Sequence, residues 1–339
     1  MSSESSTVPE SAGGSAAGAP RQKTTGLAKG PAAPGVAKVD PILIADGVTR
    51  RFGGLTAVDV DHVEIPRGAI TALIGPNGAG KTTLFNLLCG FDKPNSGSWS
   101  FDGRNLSGVP SFKVAQMGQV RTFQLTKSLS LLTVLENMKL GATHQRGEGF
   151  WASLFPFLWR EQEAEIEQRA RELLTRFKLD AKEKDFAASL SGGQRKLLEM
   201  ARALMSDPTL VMLDEPMAGV NPALTQSLLD HILGLKDLGM TVLFVEHDMH
   251  MVRHIADWVV VMAEGRVVAE GPPETVMEDP AVVDAYLGAH QDVDLGAVTG
   301  RISVVSAADA AELREQIETE AEAEIEAEAA PDGAQEEKS

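Results

Sequence analysis

Short apolar runs alternate with helical patterns through the middle of the chain, from residue 41 to about residue 290. Residues 69–74, 210–213 and 241–245 are dominated by Ala, Val, Leu, Ile and Met, and each run leads into a sequence with helical periodicity. Apolar strands of this kind are typical of parallel sheets that helices cover on both faces. Residues 130–205 carry mainly helix-forming sequence. The pattern therefore predicts an α/β core with an inserted helical subdomain at about 130–205.

The two ends of the chain lack this pattern. Residues 1–39 are mostly Ser, Ala, Gly, Pro and Thr without a hydrophobic period, which predicts a disordered arm. Residues 291–339 are expected to form a largely disordered acidic tail, since residues 311–339 contain eleven acidic and two basic residues and so carry −9 of the chain's net charge of −17. The domain between them, residues 40–290, is only mildly acidic, which argues against a direct nucleic-acid partner.

The sequence contains neither a recognisable targeting segment nor an apolar run expected to span a membrane. The arm has neither the apolar core of a secretory signal nor the Arg-rich pattern of a transit peptide, so we expect a cytoplasmic protein. No apolar run reaches the roughly 18 to 20 residues that span a bilayer. The nearest approach, residues 150–159, contains five aromatic and no charged residues. We expect it to face a membrane or a membrane protein, with packing inside the helical subdomain as the alternative.

The single cysteine, Cys89, lies in an apolar stretch and is expected to be a buried thiol.

A glycine-rich stretch follows the first apolar run and opens the next helical pattern. It consists of Gly75, Pro76, Asn77, Gly78, Ala79, Gly80, Lys81 and Thr82. This order fits G-x-x-x-x-G-K-[ST], a loop whose backbone N–H groups cradle phosphates at a helix N-terminus. Lys81 is expected to neutralise the β- and γ-phosphates and the Thr82 hydroxyl to ligate Mg²⁺, and Thr83 completes the candidate nucleotide-binding set. The stretch predicts a nucleoside triphosphate site.

Two carboxylates end the apolar run at 210–213. Because the carboxyl end of a parallel strand lies at the ligand-binding edge of the sheet, Asp214 is expected beside the phosphate loop, where it can hold Mg²⁺ through water. Glu215 is then placed to orient and deprotonate an attacking water, and we predict that it is the general base. The alternative is a solvated acidic pair that merely ends a strand.

A second glycine-containing turn precedes a strong helical pattern. It is formed by Ser191, Gly192, Gly193 and Gln194, and its helix N-terminus could bind another phosphate, which suggests a site shared between two subunits. Here the sequence resembles the ABC ATPase family, whose signature motif it matches, over roughly residues 41–290. The resemblance implies a P-loop NTPase core with a RecA-like mixed sheet and helices on both faces, an antiparallel β subdomain and an inserted helical subdomain. It also implies ATP hydrolysis with Mg²⁺.

Further positions follow from the same resemblance. Phe52 matches the aromatic residue that stacks on adenine, and Gln124 matches the glutamine that senses Mg²⁺ and the permease. His247 matches the switch histidine that contacts the γ-phosphate. Residues 218–221 depart from the commonest form of the segment that crosses the dimer interface.

Several stretches look most like the branched-chain amino acid importer ATPases, among them residues 51–58, 121–124, 246–249 and 270–288. The resemblance implies a second ATPase subunit, identical or homologous, and separate transmembrane permease subunits. It places the chain on the cytoplasmic face of the membrane, where a cargo-binding protein is met only through the permease. Because no motif touches the cargo, uptake of urea or amides and extraction of lipid stay open. A non-transport ABC ATPase that acts on DNA would need long coiled coils, and one that acts on ribosomes would need two ATPase units in one chain. A pure nucleotide-binding regulator would need a Glu215 that is not catalytic.

Overall fold

The computed structural model describes residues 27, 33–122, 129–143, 160–220 and 222–288. The strands are β1 Pro41–Phe52, β2 Leu55–Pro66, β3 Ile70–Ile74, β4 Ser96–Phe101, β5 Arg104–Asn105, β6 Gln119–Arg121, β7 Leu210–Asp214, β8 Thr241–Val245, β9 Trp258–Ala263 and β10 Arg266–Gly271. The helices are α1 Lys81–Leu88, α2 Ser111–Gln116, α3 Val134–Lys139, α4 Arg160–Arg176, α5 Gly192–Leu204, α6 Pro222–Asp237, α7 Met249–Ile255, α8 Pro273–Val276 and α9 Pro280–Gly288.

The strands form two sheets. Four of them pair antiparallel in the order β2-β1-β4-β5. The other six strands of the described ranges form a mixed sheet in the order β10-β9-β3-β8-β7-β6, and among them β10 alone runs antiparallel to its neighbour. This arrangement confirms the predicted mixed α/β core and its antiparallel β subdomain.

The mixed sheet is buried on both faces because alternate residues of its central strands enter different cores. Ile70, Val211 and Phe244 pack with the helical subdomain and with helix α6. Leu73 and Met212, which point to the opposite face, pack with α1 and the antiparallel sheet. Burial on both faces explains why these strands read as continuous apolar runs in the sequence.

A helical insertion lies between two strands of the mixed sheet. Between β6 and β7 the described residues contain α3, α4, α5 and two short 3₁₀ helices, Asp180–Lys182 and Ala187–Ser189. Buried apolar side chains of α3, α4 and α5 belong to the same core as the mixed sheet. No helix in the described ranges combines the length and the apolarity needed to cross a membrane.

The predicted arm, residues 1–39, includes a segment that the structure ties to the domain. Within residues 33–39, Lys38 Nζ lies 2.7 Å from Glu270 Oε2, and the two side chains are 4% and 0% exposed. The other oxygen of Glu270 accepts a hydrogen bond of 2.8 Å from the backbone N–H of Val36, and Trp258 Nε1 donates to Oε2 at 2.9 Å. A buried carboxylate requires such partners, so the folded domain begins before residue 40.

Two other expectations can be placed. Cys89 is buried, and burial raises the pKa of its thiol to about 12, as expected for an unreactive cysteine. The aromatic stretch at 150–159, Gln124, Asn221, most of the arm and the whole acidic tail lie outside the described residues.

Candidate active site

The glycine-rich stretch forms the turn between β3 and α1. Gly75, Gly78 and Gly80 have φ values of 148°, 80° and 94°, which only glycine adopts without strain. Gly80 is the N-cap residue of α1, and no side chain caps this helix. The first N–H groups of a helix have no partner within it, so they are available to an anion in the turn.

Close backbone contacts explain two of the glycines. A Cβ atom on Gly75 would lie 2.1 Å from the carbonyl oxygen of Met262, and one on Gly80 would lie 2.3 Å from that of Ala57. Both neighbours are backbone atoms, which cannot rotate away. The turn is therefore wedged between the start of β2 and the end of β9, and its shape suits the phosphates of a nucleotide.

Lys81 lies over this turn. Its Nζ donates hydrogen bonds to the carbonyl oxygens of Gly75 at 2.7 Å and Pro76 at 2.9 Å. Burial lowers the pKa of Lys81, and the negative charge of Glu215 opposes that shift. The ammonium group thus lies within electrostatic reach of Glu215, and phosphate oxygens would be stronger acceptors for it than neutral carbonyls.

Asp214 ends β7 and is held by an arginine from the neighbouring strand. Arg121 on β6 donates to Asp214 Oδ2 at 2.6 Å, and the two side chains are 10% and 13% exposed. The same guanidinium donates to Asn86 Oδ1 on α1 at 2.5 Å. Arg121 therefore joins the end of β7 to helix α1, which follows the glycine-rich turn of residues 75–80, hereafter the phosphate turn. This contact brings Asp214 and the nucleotide-binding residues to one edge of the sheet.

Glu215 has an unusual backbone conformation for its residue type. Its φ is 45°, in the left-handed region that non-glycine residues seldom occupy. Its N–H donates to the carbonyl oxygen of Val245, the last residue of β8, at 3.0 Å. The turn after β7 is consequently fixed against β8, and strained residues of this kind cluster at functional sites.

His247 follows β8 with an exposed side chain. Its Nδ1 lies 3.8 Å from Glu246 Oε2, and the two side chains are 67% and 2% exposed. Burial raises the pKa of the Glu246 carboxyl group, although its hydrogen bonds from the Met217 and His247 backbone oppose the shift. An exposed imidazole at this sheet edge can reach a ligand in solution.

The second glycine-containing turn starts α5 and satisfies its own polar groups. Ser191 Oγ accepts a hydrogen bond of 3.2 Å from the backbone N–H of Gln194, and Gln194 Oε1 accepts one of 3.0 Å from that of Ser191. This reciprocal pair is a capping box. Ser191 and Gly192 are exposed, so the turn is accessible to a partner.

Phe52 ends β1 in the hairpin with β2. Its side chain is 49% exposed, and the guanidinium carbon of Arg50 lies 4.5 Å from its ring centroid. The β2 strand of this hairpin contacts the phosphate turn at Ala57. An exposed aromatic ring on such a hairpin provides a surface on which a base can stack.

Among the described residues, sequence reasoning did not single out three side chains that contact the predicted site residues or the turn after β7: Arg121, Lys196 and Glu246. Arg121 stood inside a recognised motif, and Glu246 is a carboxylate directly after an apolar strand, which was a usable signal. Lys196 had none, because its contacts are to the backbone of a distant turn.

Comparison with known proteins agrees with this geometry. The family model described as "ABC transporter" matches residues 58–218, and the model described as "Branched-chain amino acid ATP-binding cassette transporter" matches residues 266–292. A probable branched-chain amino acid transport ATP-binding protein LivG of Archaeoglobus fulgidus is 40% identical over 75% of this chain and 98% of its own length. The chain belongs to the ABC transporter ATPases.

Other relatives of this ABC ATPase support the same assignment. The high-affinity branched-chain amino acid transport ATP-binding protein BraF of Pseudomonas aeruginosa is 40% identical over 73% of this chain and 98% of its own. The crystal structure of the ADP conformation of an ATP-binding cassette of an ABC transporter has a TM-score of 0.64 and 37% identity, covering 73% of this chain and 99% of that one. The family and the ATP-hydrolysing activity predicted from the motifs are confirmed.

Proposed function

We propose that this ABC ATPase drives a membrane permease that imports branched-chain amino acids. The observation that carries the proposal is the match of residues 266–292 to the C-terminal model of branched-chain amino acid cassettes, because this segment lies outside the nucleotide motifs that all ABC ATPases share. Relatives named for branched-chain amino acid transport, aligned over nearly their whole length, support it. The proposed place of the chain is the cytoplasmic face of the membrane, bound to permease subunits, with any cargo-binding protein reached only through them.

The binding part of the mechanism follows from the phosphate turn. Its backbone N–H groups and the Lys81 ammonium bind the phosphates of ATP, and Phe52 stacks on the adenine. The Thr82 hydroxyl, the Asp214 carboxylate and Gln124 are proposed to hold Mg²⁺, and their oxygens are the hard donors that this ion prefers. Bound Mg²⁺ would neutralise charge on the β- and γ-phosphates. Arg121 keeps Asp214 in place through the contact to Oδ2.

The hydrolytic part depends on residues at the ends of β7 and β8. The Glu215 carboxylate orients a water molecule and accepts its proton, while the His247 imidazole contacts the γ-phosphate. The exposed turn of Ser191, Gly192, Gly193 and Gln194 is proposed to bind the γ-phosphate of ATP held by a second ATPase subunit. Two subunits would then enclose two ATP molecules, and hydrolysis would separate them.

The substitution Glu215→Gln tests the hydrolytic role. The amide keeps the size of the carboxylate but cannot accept the proton, so turnover should fall by at least about 100-fold while ATP still binds. Mg-ATP should then convert the variant from monomer to a stable dimer on a sizing column, with phosphate release measured alongside. Near-normal phosphate release would contradict the role given to Glu215.

Reconstitution tests the cargo. The ATPase would be purified with the permease it binds, placed in proteoliposomes, and assayed for stimulation of hydrolysis by a cognate binding protein loaded with leucine, isoleucine or valine, with urea and an acidic amino acid as controls. Stimulation only by the branched-chain amino acids is expected. Stimulation only by urea, or lipid transfer without any of these solutes, would assign a different cargo.

A further inference from the structure

The turn that carries Glu215 is held from two sides by side chains of opposite charge. It comprises residues 215–218, directly after β7. We infer that Lys196 and Glu246 are positioning residues that clamp this turn and so aim the Glu215 carboxylate at the attacking water. The inference rests on the proposed role of Glu215 as the general base.

Lys196 forms the first side of the clamp. It lies on α5, and its Nζ donates to the carbonyl oxygens of Pro216 at 3.0 Å and Glu215 at 3.4 Å, and also to that of Ala218. An ammonium group has three N–H donors and no acceptor, so three carbonyls within one turn match its bonding capacity. Burial lowers the pKa of Lys196, and the charges of Glu246, Glu199 and Glu215 oppose that shift.

Glu246 forms the second side. Its side chain is only 2% exposed. Its Oε1 accepts a hydrogen bond of 3.0 Å from the backbone N–H of Met217, and its Oε2 accepts one of 3.3 Å from that of His247. One buried carboxylate therefore bonds both the turn that carries Glu215 and the residue proposed to contact the γ-phosphate.

The backbone of Glu215 explains why a clamp is needed. A non-glycine residue stays at a φ of 45° only when its surroundings impose that conformation. The contacts from Lys196 and Glu246 fall on the three residues that follow Glu215 and on its own carbonyl, where they oppose relaxation of the turn. Loss of either side should displace the carboxylate, and displacements of about 1 Å can lower catalysis by roughly 100-fold.

The clamp also links three motifs. Lys196 lies on helix α5, which Ser191 caps, and the Glu246 carboxylate accepts a hydrogen bond from the backbone N–H of His247. The turn that carries the general base is therefore bonded to the elements that carry the other two proposed phosphate contacts.

Steady-state kinetics of single variants provide the first test. Lys196→Met keeps the apolar stem and removes the three donors, and Glu246→Gln keeps one acceptor oxygen but cannot accept both N–H groups. Each should lower kcat by about 10- to 100-fold and change the KM for ATP by less than about threefold. Lys196→Arg retains donors and should recover part of the loss. Lys182→Met, which removes a surface lysine paired with Asp185, is the matched control and should be unchanged.

A double-mutant cycle separates positioning from other roles. If Lys196 acts through Glu215, adding Lys196→Met to Glu215→Gln should cause no further loss in single-turnover hydrolysis. The clamp would be overturned if the rate losses of the two single variants multiply in the double variant, or if kcat is normal in both Lys196→Met and Glu246→Gln. An inactive Glu215→Gln would still support the role of Glu215 as the general base in either case. Near-normal Glu215→Gln would instead overturn the proposed function. If Lys196→Met does not fold, Glu246→Gln in the same cycle gives the decision.

Discussion

The glycine-containing turns that begin helices α1 and α5 differ in how their backbone N–H groups are satisfied. The phosphate turn at the start of α1 has three glycines at positive φ and no side-chain cap. The signature turn at the start of α5 is closed by its own capping box, and neither Gly192 nor Gly193 has a positive φ. One turn leaves its N–H groups to a ligand, whereas the other already satisfies part of its own.

The difference between the two turns is consistent with two different functions. The phosphate turn is wedged against Met262 and Ala57 and has its cation, Lys81, within the same motif, so one chain can form a complete phosphate site. The signature turn has no comparable cation among its four residues, of which Ser191 and Gly192 are exposed. We therefore expect the first turn to determine ATP binding and the second to determine hydrolysis in the dimer.

The largest expected effect comes from the phosphate turn. Lys81→Met removes the ammonium but keeps much of the apolar stem, so ATP affinity should fall by about 100-fold or more, because charge-assisted hydrogen bonds contribute about 1.5 to 3 kcal/mol each. Equilibrium binding of a fluorescent ATP analogue to the isolated subunit measures this. An unchanged Kd would show that the turn is not the principal phosphate site.

A smaller and different effect is expected from the signature turn. Ser191→Ala should leave ATP binding to the isolated subunit unchanged but lower hydrolysis by about tenfold, because the hydroxyl is proposed to act only on the partner's nucleotide. Loss of the cap should also cost about 1 kcal/mol of stability. ATP binding, phosphate release and thermal unfolding are measured together.

Thr133→Ala is the matched control for Ser191→Ala. Thr133 caps α3 with Glu136 in the same reciprocal arrangement. The Thr133→Ala variant should therefore lose about 1 kcal/mol of stability with no change in hydrolysis. Equal losses of hydrolysis in both variants would mean that Ser191 is only a helix cap, and the contrast between the two turns would fail.

The smallest effect is expected from the acidic tail. A truncation after Gly300 removes a segment in which Glu320, Glu322 and Glu324 repeat like charges without an apolar stripe, so neither turn should need it. Both kcat and Tm should stay within experimental error of the full chain. A drop in Tm of several degrees would reveal that the tail packs on the ATPase domain.

Motifs formed by consecutive residues could be recognised from the sequence. The phosphate turn, the carboxylate pair at 214–215 and the signature turn each lie within a few consecutive residues, and the order of residue types alone indicates their chemistry. The central strands were equally legible, because burial on both faces leaves an unbroken apolar run. Periodicity also indicated a helical insertion.

Only the tertiary structure decided which distant side chains support these motifs. Lys38 and Glu270 are separated by 232 positions, and Arg121 and Asp214 by 93, so the arm's true boundary and the anchoring of Asp214 could not be read from local pattern. Lys196 and Glu246 meet at residues 215–218 because α5 and the end of β8 both border the turn after β7. Such contacts depend on strand order and helix packing, which bring together groups that no sequence window contains.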